Sequence, residues 1–221
     1  MTLAPAGRPD RGRFVVFEGG EGSGKSTQAA RLAADLGAVL TREPGGTSAG
    51  EHIRALLLDP SLPEVVPRAE TLLMLAARAQ HVDEVIAPAL AAGRDVVCDR
   101  FSGSTIAYQG YGRGLDPAAL RRLSNWAAAG LEPDVVVLLT VPPSEAARRR
   151  SDRTAEARAA STPGGGGPDR IEGEAADFHA RIEAGFLELA AADPGRWRVI
   201  DGAGDRDAVA ARVAAAVIGR G

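Results

Sequence analysis

One stretch restricts this chain more than any other: Phe14-Val15-Val16-Phe17-Glu18-Gly19-Gly20-Glu21-Gly22-Ser23-Gly24-Lys25-Ser26-Thr27. It contains Gly19-x-x-x-x-Gly24-Lys25-Ser26, the phosphate-binding loop pattern. The apolar run before it predicts a strand, and Gln28-Ala29-Ala30-Arg31-Leu32-Ala33-Ala34 after it predicts a helix. Between such elements, glycines let backbone N–H groups turn inward around phosphate oxygens. The helix N-terminus behind them adds roughly half a positive charge. Lys25 is set to reach the β- and γ-phosphates, and the Ser26 hydroxyl to ligate Mg²⁺. The plainer reading is a glycine-rich turn with a chance lysine. Against it stands the composition, in which Lys25 is the only lysine and Arg fills the remaining Lys/Arg positions. The loop Gly19, Gly20, Glu21, Gly22, Ser23, Gly24, Lys25, Ser26, Thr27 is therefore expected to bind a nucleoside triphosphate.

Further apolar runs that read as buried strands fall at Ala38–Thr41, Asp95–Cys98, Asp134–Val141 and Trp197–Ile200, with helical stretches between them. That alternation predicts an α/β fold: about five parallel strands with helices on both faces. Residues 69 to 92 read as one helix. Its apolar face is wider than one sheet contact requires, which leaves core packing and a second subunit both open. Asp116-Pro117 reads as an N-cap with proline at the first helical position, opening a helix that ends near Gly130. From Ser144 the charge becomes dense, with Arg148, Arg149, Arg150, Arg153 and Arg158, and the tract Ser161-Thr162-Pro163-Gly164-Gly165-Gly166-Gly167-Pro168 follows. That tract cannot hold regular structure. The segment from about 148 to 170 reads as a mobile Arg-rich lid, and Asp169-Arg170-Ile171-Glu172 as the start of a helix running to about Ala192.

Composition narrows the functional classes. The length of 221 residues suits one domain, expected over 13–221, with 1–12 as a flexible tail. Apolar residues make up 45% but aromatics only 4%, so Ala, Leu and Val must fill the core. A net charge of −3 argues against a nucleic-acid polymer as partner. Cys98 is alone, so no intramolecular disulfide is possible and a cytoplasmic location is expected. No apolar run reaches ~18 residues, which leaves no membrane-spanning helix. His52, His81 and His179 are scattered without metal spacing and read as surface or packing residues, and Cys98 as a buried small hydrophobe.

The loop alone fits GTPases, ATP motors and small-molecule kinases. An Asn-Lys-x-Asp guanine reader and a Leu-Ser-Gly-Gly transporter motif are both missing from the sequence. The second strand ends in Thr41-Arg42-Glu43-Pro44-Gly45-Gly46-Thr47 and the third in Asp99-Arg100-Phe101. In a parallel sheet both emerge at the carboxyl edge beside the glycine loop, where ligands bind. Two arginines there suit a second phosphate-bearing substrate, and hence a kinase.

These residues resemble thymidylate kinase of the bacterial type. The matching motifs are Glu18 to Thr27, Arg42-Glu43-Pro44-Gly45-Gly46-Thr47, Ala76-Ala77-Arg78, Asp99-Arg100-Phe101, Tyr108-Gln109-Gly110, Gly112-Arg113-Gly114 and Asp169-Arg170-Ile171-Glu172. They run in the expected order from residue 14 to about 201. The resemblance implies a P-loop NTPase three-layer fold, phosphoryl transfer from Mg·ATP to dTMP giving dTDP and ADP, and a homodimer. It implies that Lys25, Arg100 and a lid arginine, Arg153, serve the transferring group, with Mg²⁺ held by Ser26 and Asp99. Asp99 acts there through water or by orienting Arg100. Glu21 faces the sugar 3′-hydroxyl, and Arg100 grips the acceptor phosphate with Arg54 as a second contact. Arg78 reads the O4 edge of thymine. Met74 stands where the family has a stacking Phe, which removes a flat contact but keeps a polarisable one. The resemblance also implies that Glu43-Pro44 shapes the acceptor pocket, through a cis peptide that nothing in the sequence itself requires, and that Ser104, Thr105, Tyr108 and Gln109 line it. Gly22 assigns the chain to the subtype that draws its cations from the lid. Adenine is expected between Arg149 and the loop Asp201-Gly202-Ala203. Two rivals remain at this point: a kinase of another acceptor, and a nucleotide-binding regulator without turnover.

Overall fold

In a computed structural model of the chain, the described residues are 11–63, 65–160, 170 and 173–218, without the side chains of 153, 154 and 156–160. Five strands, β1 (Phe14–Glu18), β2 (Val39–Arg42), β3 (Val96–Asp99), β4 (Val135–Thr140) and β5 (Trp197–Asp201), form one parallel sheet in the order β2-β3-β1-β4-β5. Every residue of the central strand β1 is buried, as the unbroken apolar run at its start requires. Phe17 and Arg42 both pair with Asp99, so β1, β2 and β3 end level at the carboxyl edge. This is the α/β architecture expected from the alternating pattern.

The helices are α1 (Lys25–Leu36), α2 (Ser48–Leu58), α3 (Pro67–His81), α4 (Ala87–Ala91), α5 (Ser102–Thr105), α6 (Pro117–Ala127), α7 (Pro143–Ala160), α8 (Ala176–Ala192) and α9 (Arg206–Ile218). Because side chains alternate along a strand, Val15 and Phe17 face one side of the sheet, and Phe14 and Val16 the other. The first pair packs with Ala29, Leu32 and Ala33 of α1 and Val209 and Val213 of α9. The second packs with Val82, Ile86 and Leu90. A third cluster joins Tyr108, Leu120 and Leu138 to Phe178, Ile182 and Phe186 of α8.

Two expectations need correction. The helix expected over 69–92 starts earlier, with Pro67 at its N-terminus, and is interrupted by a π-helical turn, Val82–Ile86. Pro88 follows this turn and has no N–H to donate to the carbonyl four residues back. Of the apolar residues in this stretch, Leu75, Val82 and Ile86 are buried, whereas Leu72 is 62% exposed. The helix expected from Asp169 begins instead at Ala176. Ahead of it, Arg170 is a turn residue whose N–H donates to the Leu58 carbonyl at 3.3 Å, and Gly173 also lies in a turn.

Residues 161–169, 171 and 172, which carry the glycine tract and much of the expected lid, lie outside the described residues, as do 1–10 of the expected tail. The arginine-dense part that is described belongs to α7. Arg11 and Gly12 are tied to the body: Arg11 pairs with Asp134 at 2.7 Å, and the Gly12 N–H donates to the Leu90 carbonyl at 3.0 Å. Asp116 caps α6 by accepting from the N–H groups of Ala118 and Ala119 at 2.9 and 3.2 Å, as expected from Asp116-Pro117. Among the described residues no helix is long and apolar enough to cross a membrane.

Candidate active site

The loop after β1 is shaped by its glycines. Gly22 and Gly24 have φ of 80° and 93°, the left-handed region that only glycine enters without strain. At Gly22 a side chain is excluded twice, because a Cβ there would lie 2.6 Å from the Ala146 carbonyl oxygen at the root of α7. Gly24 caps α1, so the first turn of that helix faces the loop. Lys25, 5% exposed, donates from Nζ to the Gly20 carbonyl at 2.9 Å across the loop. Burial, and then the neighbouring charge of Arg100, lower its pKa. Arg149 of α7 closes the far side. Its guanidinium donates to Glu145 at 2.5 Å, to the Gly202 carbonyl at 3.0 Å and to the Ser23 carbonyl at 3.4 Å. It thus joins α7, the glycine loop and the loop after β5.

Opposite this loop stands Arg100, the first residue after β3, with φ 74°. Its own N–H donates to the Phe17 carbonyl at 2.9 Å. Its Nη1 donates to the Gly19 carbonyl and to Ser104 Oγ, each at 3.1 Å. Nη2 pairs with Glu21 and donates to the Tyr108 hydroxyl at 2.9 Å. The Tyr108 hydroxyl in turn donates to Glu21 Oε1 at 3.1 Å, and burial raises the phenol pKa and keeps that proton in place. Glu21, Arg100, Ser104 and Tyr108 are therefore one bonded group, which links the glycine loop directly to the element after β3.

Deeper in, Arg78 is only 2% exposed. Its Nε donates to Glu43 Oε2 at 2.8 Å, Nη2 to Thr105 Oγ1 at 3.0 Å and Nη1 to Ser124 Oγ at 3.3 Å. The guanidinium also lies over the Phe101 ring, 5.0 Å from its centroid. Glu43 meets His81 Nδ1 at 3.1 Å through its other oxygen, and His81 Nε2 meets Thr41 Oγ1 at 2.6 Å. The Glu43-Pro44 peptide bond is cis. Arg54 donates to the Pro44 carbonyl at 3.0 Å.

Both groups open into one cavity of about 480 Å³. Glu21, Gly22, Gly24, Lys25, Ser26 and Thr27 line it from the loop, and Glu43, Pro44, Arg54, Met74, Arg78, Asp99, Arg100, Ser104, Thr105, Tyr108 and Gln109 from the other side. Of the expected site residues, Gly19, Gly20 and Ser23 shape the loop without lining the cavity, and Arg149 lies beyond it. The side chain of Arg153 lies outside the described residues. Arg42 also lines the cavity, with its charge shared with Glu51 at 2.8 Å.

Three buried ionisable residues were given no site role by the sequence. Glu18 is fully buried, and burial pushes its carboxyl up to about 7 against the hydrogen bonds it accepts. Glu70, 1% exposed, accepts from Gln109 Nε2 at 2.8 Å and pairs with Arg113 at 3.2 Å and Arg170 at 3.5 Å. His81, read as surface or packing, is fully buried and bonded to Glu43 and Thr41. Its position three residues after Arg78 puts both on one helix face, the only trace the sequence offered. Cys98 is buried and free, and burial raises its thiol pKa well above the usual range.

The donor set fits a Mg²⁺ ion. Ser26 Oγ donates to Asp99 Oδ2 at 2.5 Å, and the other oxygen, Asp99 Oδ1, is buried without a hydrogen-bond partner. No cluster of three or more His, Cys, Asp or Glu suited to a metal occurs among the described residues. One hydroxyl and one carboxylate suit an ion that keeps several waters and completes its shell with phosphate oxygens.

Comparisons with known proteins point to one family. The thymidylate kinase family model matches residues 17–213. A thymidylate kinase of Solidesulfovibrio magneticus is 51% identical over 205 residues, covering 90% of this chain and 96% of that one. One from Pelotomaculum thermopropionicum is 48% identical over 196 residues, 86% of each chain. The crystal structure of a thymidylate kinase from Ehrlichia chaffeensis superposes with a TM-score of 0.72 at 31% identity, covering 94% of this chain and 98% of that one.

Proposed function

This chain belongs to the thymidylate kinase family, and from that premise we infer that it transfers the γ-phosphoryl group of ATP to dTMP, giving dTDP and ADP. It is a nucleoside monophosphate kinase. One observation carries the chemistry: Lys25 and Arg100, on different strand-end loops, line a single cavity. That the two proposed phosphate grips share one cavity supports direct transfer between their ligands.

The residue roles follow from that arrangement. Lys25 and the loop N–H groups hold the donor phosphates. Arg100 takes the acceptor phosphate, exchanging the carboxylate of Glu21 for a phosphate oxygen, while Glu21 turns to the sugar 3′-hydroxyl. Arg54 supplies a second acceptor contact. Tyr108 stands beside Glu21, where it crowds a 2′-hydroxyl and disfavours ribonucleotides. Arg78, held rigid by Glu43, reads the base edge with Thr105 and Gln109, and Met74 covers the base face. The acceptor phosphate is already ionised, so alignment and charge stabilisation do the work without a strong general base. Ser26 and Asp99 are the groups that would hold Mg²⁺, which when bound neutralises charge on the β- and γ-phosphates. Arg149 borders the adenine site, and Arg153 belongs to the Arg-rich lid segment that completes the cations around the transferring group.

The single-domain organisation over 13–221 with a lid, the cytoplasmic location and the homodimer belong to the same reading. Support for a dimer comes from large apolar side chains left exposed on three neighbouring helices: Leu56 at 42%, Leu72 at 62%, Leu123 at 42% and Trp126 at 78%. Soluble monomers rarely group such residues. The deciding experiment is turnover with ATP and dTMP against dUMP, dCMP and AMP. Lack of preference for dTMP sinks the substrate assignment. Binding of both ligands without dTDP formation favours a regulator instead.

A further inference from the structure

Glu18 ends β1 with a fully buried carboxylate, yet it does not line the cavity shared by Lys25 and Arg100. Its Oε1 accepts from the N–H groups of Phe101 at 3.1 Å and Ser104 at 3.0 Å, and Oε2 accepts the Ser104 hydroxyl at 2.5 Å. A hydroxyl has one proton to give. Once Ser104 gives its proton to Glu18, its lone pairs are directed elsewhere, and one accepts from Arg100 Nη1 at 3.1 Å. The second partner of Nη1 is the carbonyl of Gly19, the residue after Glu18. Both anchors of Nη1 thus trace back to the end of β1.

The backbone tells the same story. Arg100 carries a side chain at φ 74°, a conformation that persists only where its surroundings enforce it. The N–H before its Cα is held by Phe17 and the N–H after it by Glu18. Gly103 leaves the room this needs, since a Cβ there would lie 2.8 Å from Glu18 Oε1. We propose that Glu18 is a positioning residue for phosphoryl transfer, which through Ser104 and the turn after β3 aims the Arg100 guanidinium at the acceptor phosphate.

This inference rests on the assignment of Arg100 to the acceptor phosphate. Glu18→Gln tests it, because the amide keeps an oxygen for the two backbone N–H groups but offers Ser104 a donor instead of an acceptor. Calorimetric titrations with dTMP and with a non-hydrolysable ATP analogue are run at pH 8, above the value of about 7 to which burial pushes this carboxyl. With circular dichroism unchanged, dTMP affinity is expected to fall about tenfold while that for the ATP analogue stays within about twofold. Combining Glu18→Gln with Ser104→Ala is expected to cost no more than the worse single change, since both break one relay. Wild-type dTMP affinity in Glu18→Gln overturns the proposal, and so does equal weakening of both ligands, which marks a general loosening of the fold. If Glu18→Gln fails to fold, Ser104→Ala decides: a selective tenfold loss for dTMP supports the relay, and unchanged affinity overturns it. A wild-type protein that binds the ATP analogue but not dTMP overturns the acceptor reading itself, before any variant is made.

Discussion

The two halves of the cavity, one proposed for the donor and the other for the acceptor, are built on opposite plans. The donor side is mostly backbone: a run of glycines and a helix N-terminus from one contiguous segment, with Lys25 added. The acceptor side is mostly side chains, with Arg78, Glu43, His81, Thr105 and Ser124 drawn from separate elements and held by mutual hydrogen bonds. A backbone cradle needs few partners and tolerates change around it. A buried charged network has no such slack, because a charge that loses its partner stays behind without water.

That contrast can be broken by substitution. The largest effect is expected for Lys25→Ala, a fall of ~10³-fold or more in kcat, with dTMP binding kept in a calorimetric titration. If dTMP binding disappears as well, the two halves are not separable. Arg78→Ala should instead destabilise the fold by about 3–5 kcal/mol, because Glu43 is left buried without its guanidinium partner, with only His81 beside it. Denaturant unfolding measures this, and a change below ~1 kcal/mol, the size of an exposed pair, would mean the network is not buried in solution.

A milder test uses Arg149, which touches only the donor side. Arg149→Ala is expected to raise KM for ATP roughly threefold to tenfold through lost hydrogen bonds, with KM for dTMP unchanged. An equal rise in both sharpens the comparison by showing that α7 serves both sites. The smallest effect is a slope. The Glu18 carboxyl rises from an ordinary 4.5 to about 7 on burial, so folding takes up a proton between those values. Its contribution to stability is therefore full below about 4.5 and is lost as the pH rises through about 7. Melting temperatures of Glu18→Gln and wild type, compared at pH 5 and pH 8, should shift in favour of the Gln variant at pH 8. Parallel profiles would refute the burial of this carboxyl.

The same division explains what could be read from the sequence. The glycine loop was legible because all its parts are adjacent, and so were the strands, whose apolar runs carry their own boundaries. The acceptor residues came from resemblance, since nothing local marks Arg78 or Thr105 as partners across 27 residues. Nothing beside Glu18 in the sequence marks it as buried. Only the return of the chain at Phe101 and Ser104 makes it a buried acceptor. The π turn before Pro88 and the late start of α8 were missed for a related reason: proline and glycine signal a break but not how the surrounding turns absorb it.

The burial of Lys25 has a practical consequence. It is the only lysine in the sequence, so apart from the chain's α-amino group the protein offers a single primary amine. Burial and the Arg100 charge hold its pKa below that of an ordinary lysine. A nucleotide bearing an acylating group should consequently label one position and report occupancy of the donor loop stoichiometrically, without mutagenesis or a tag.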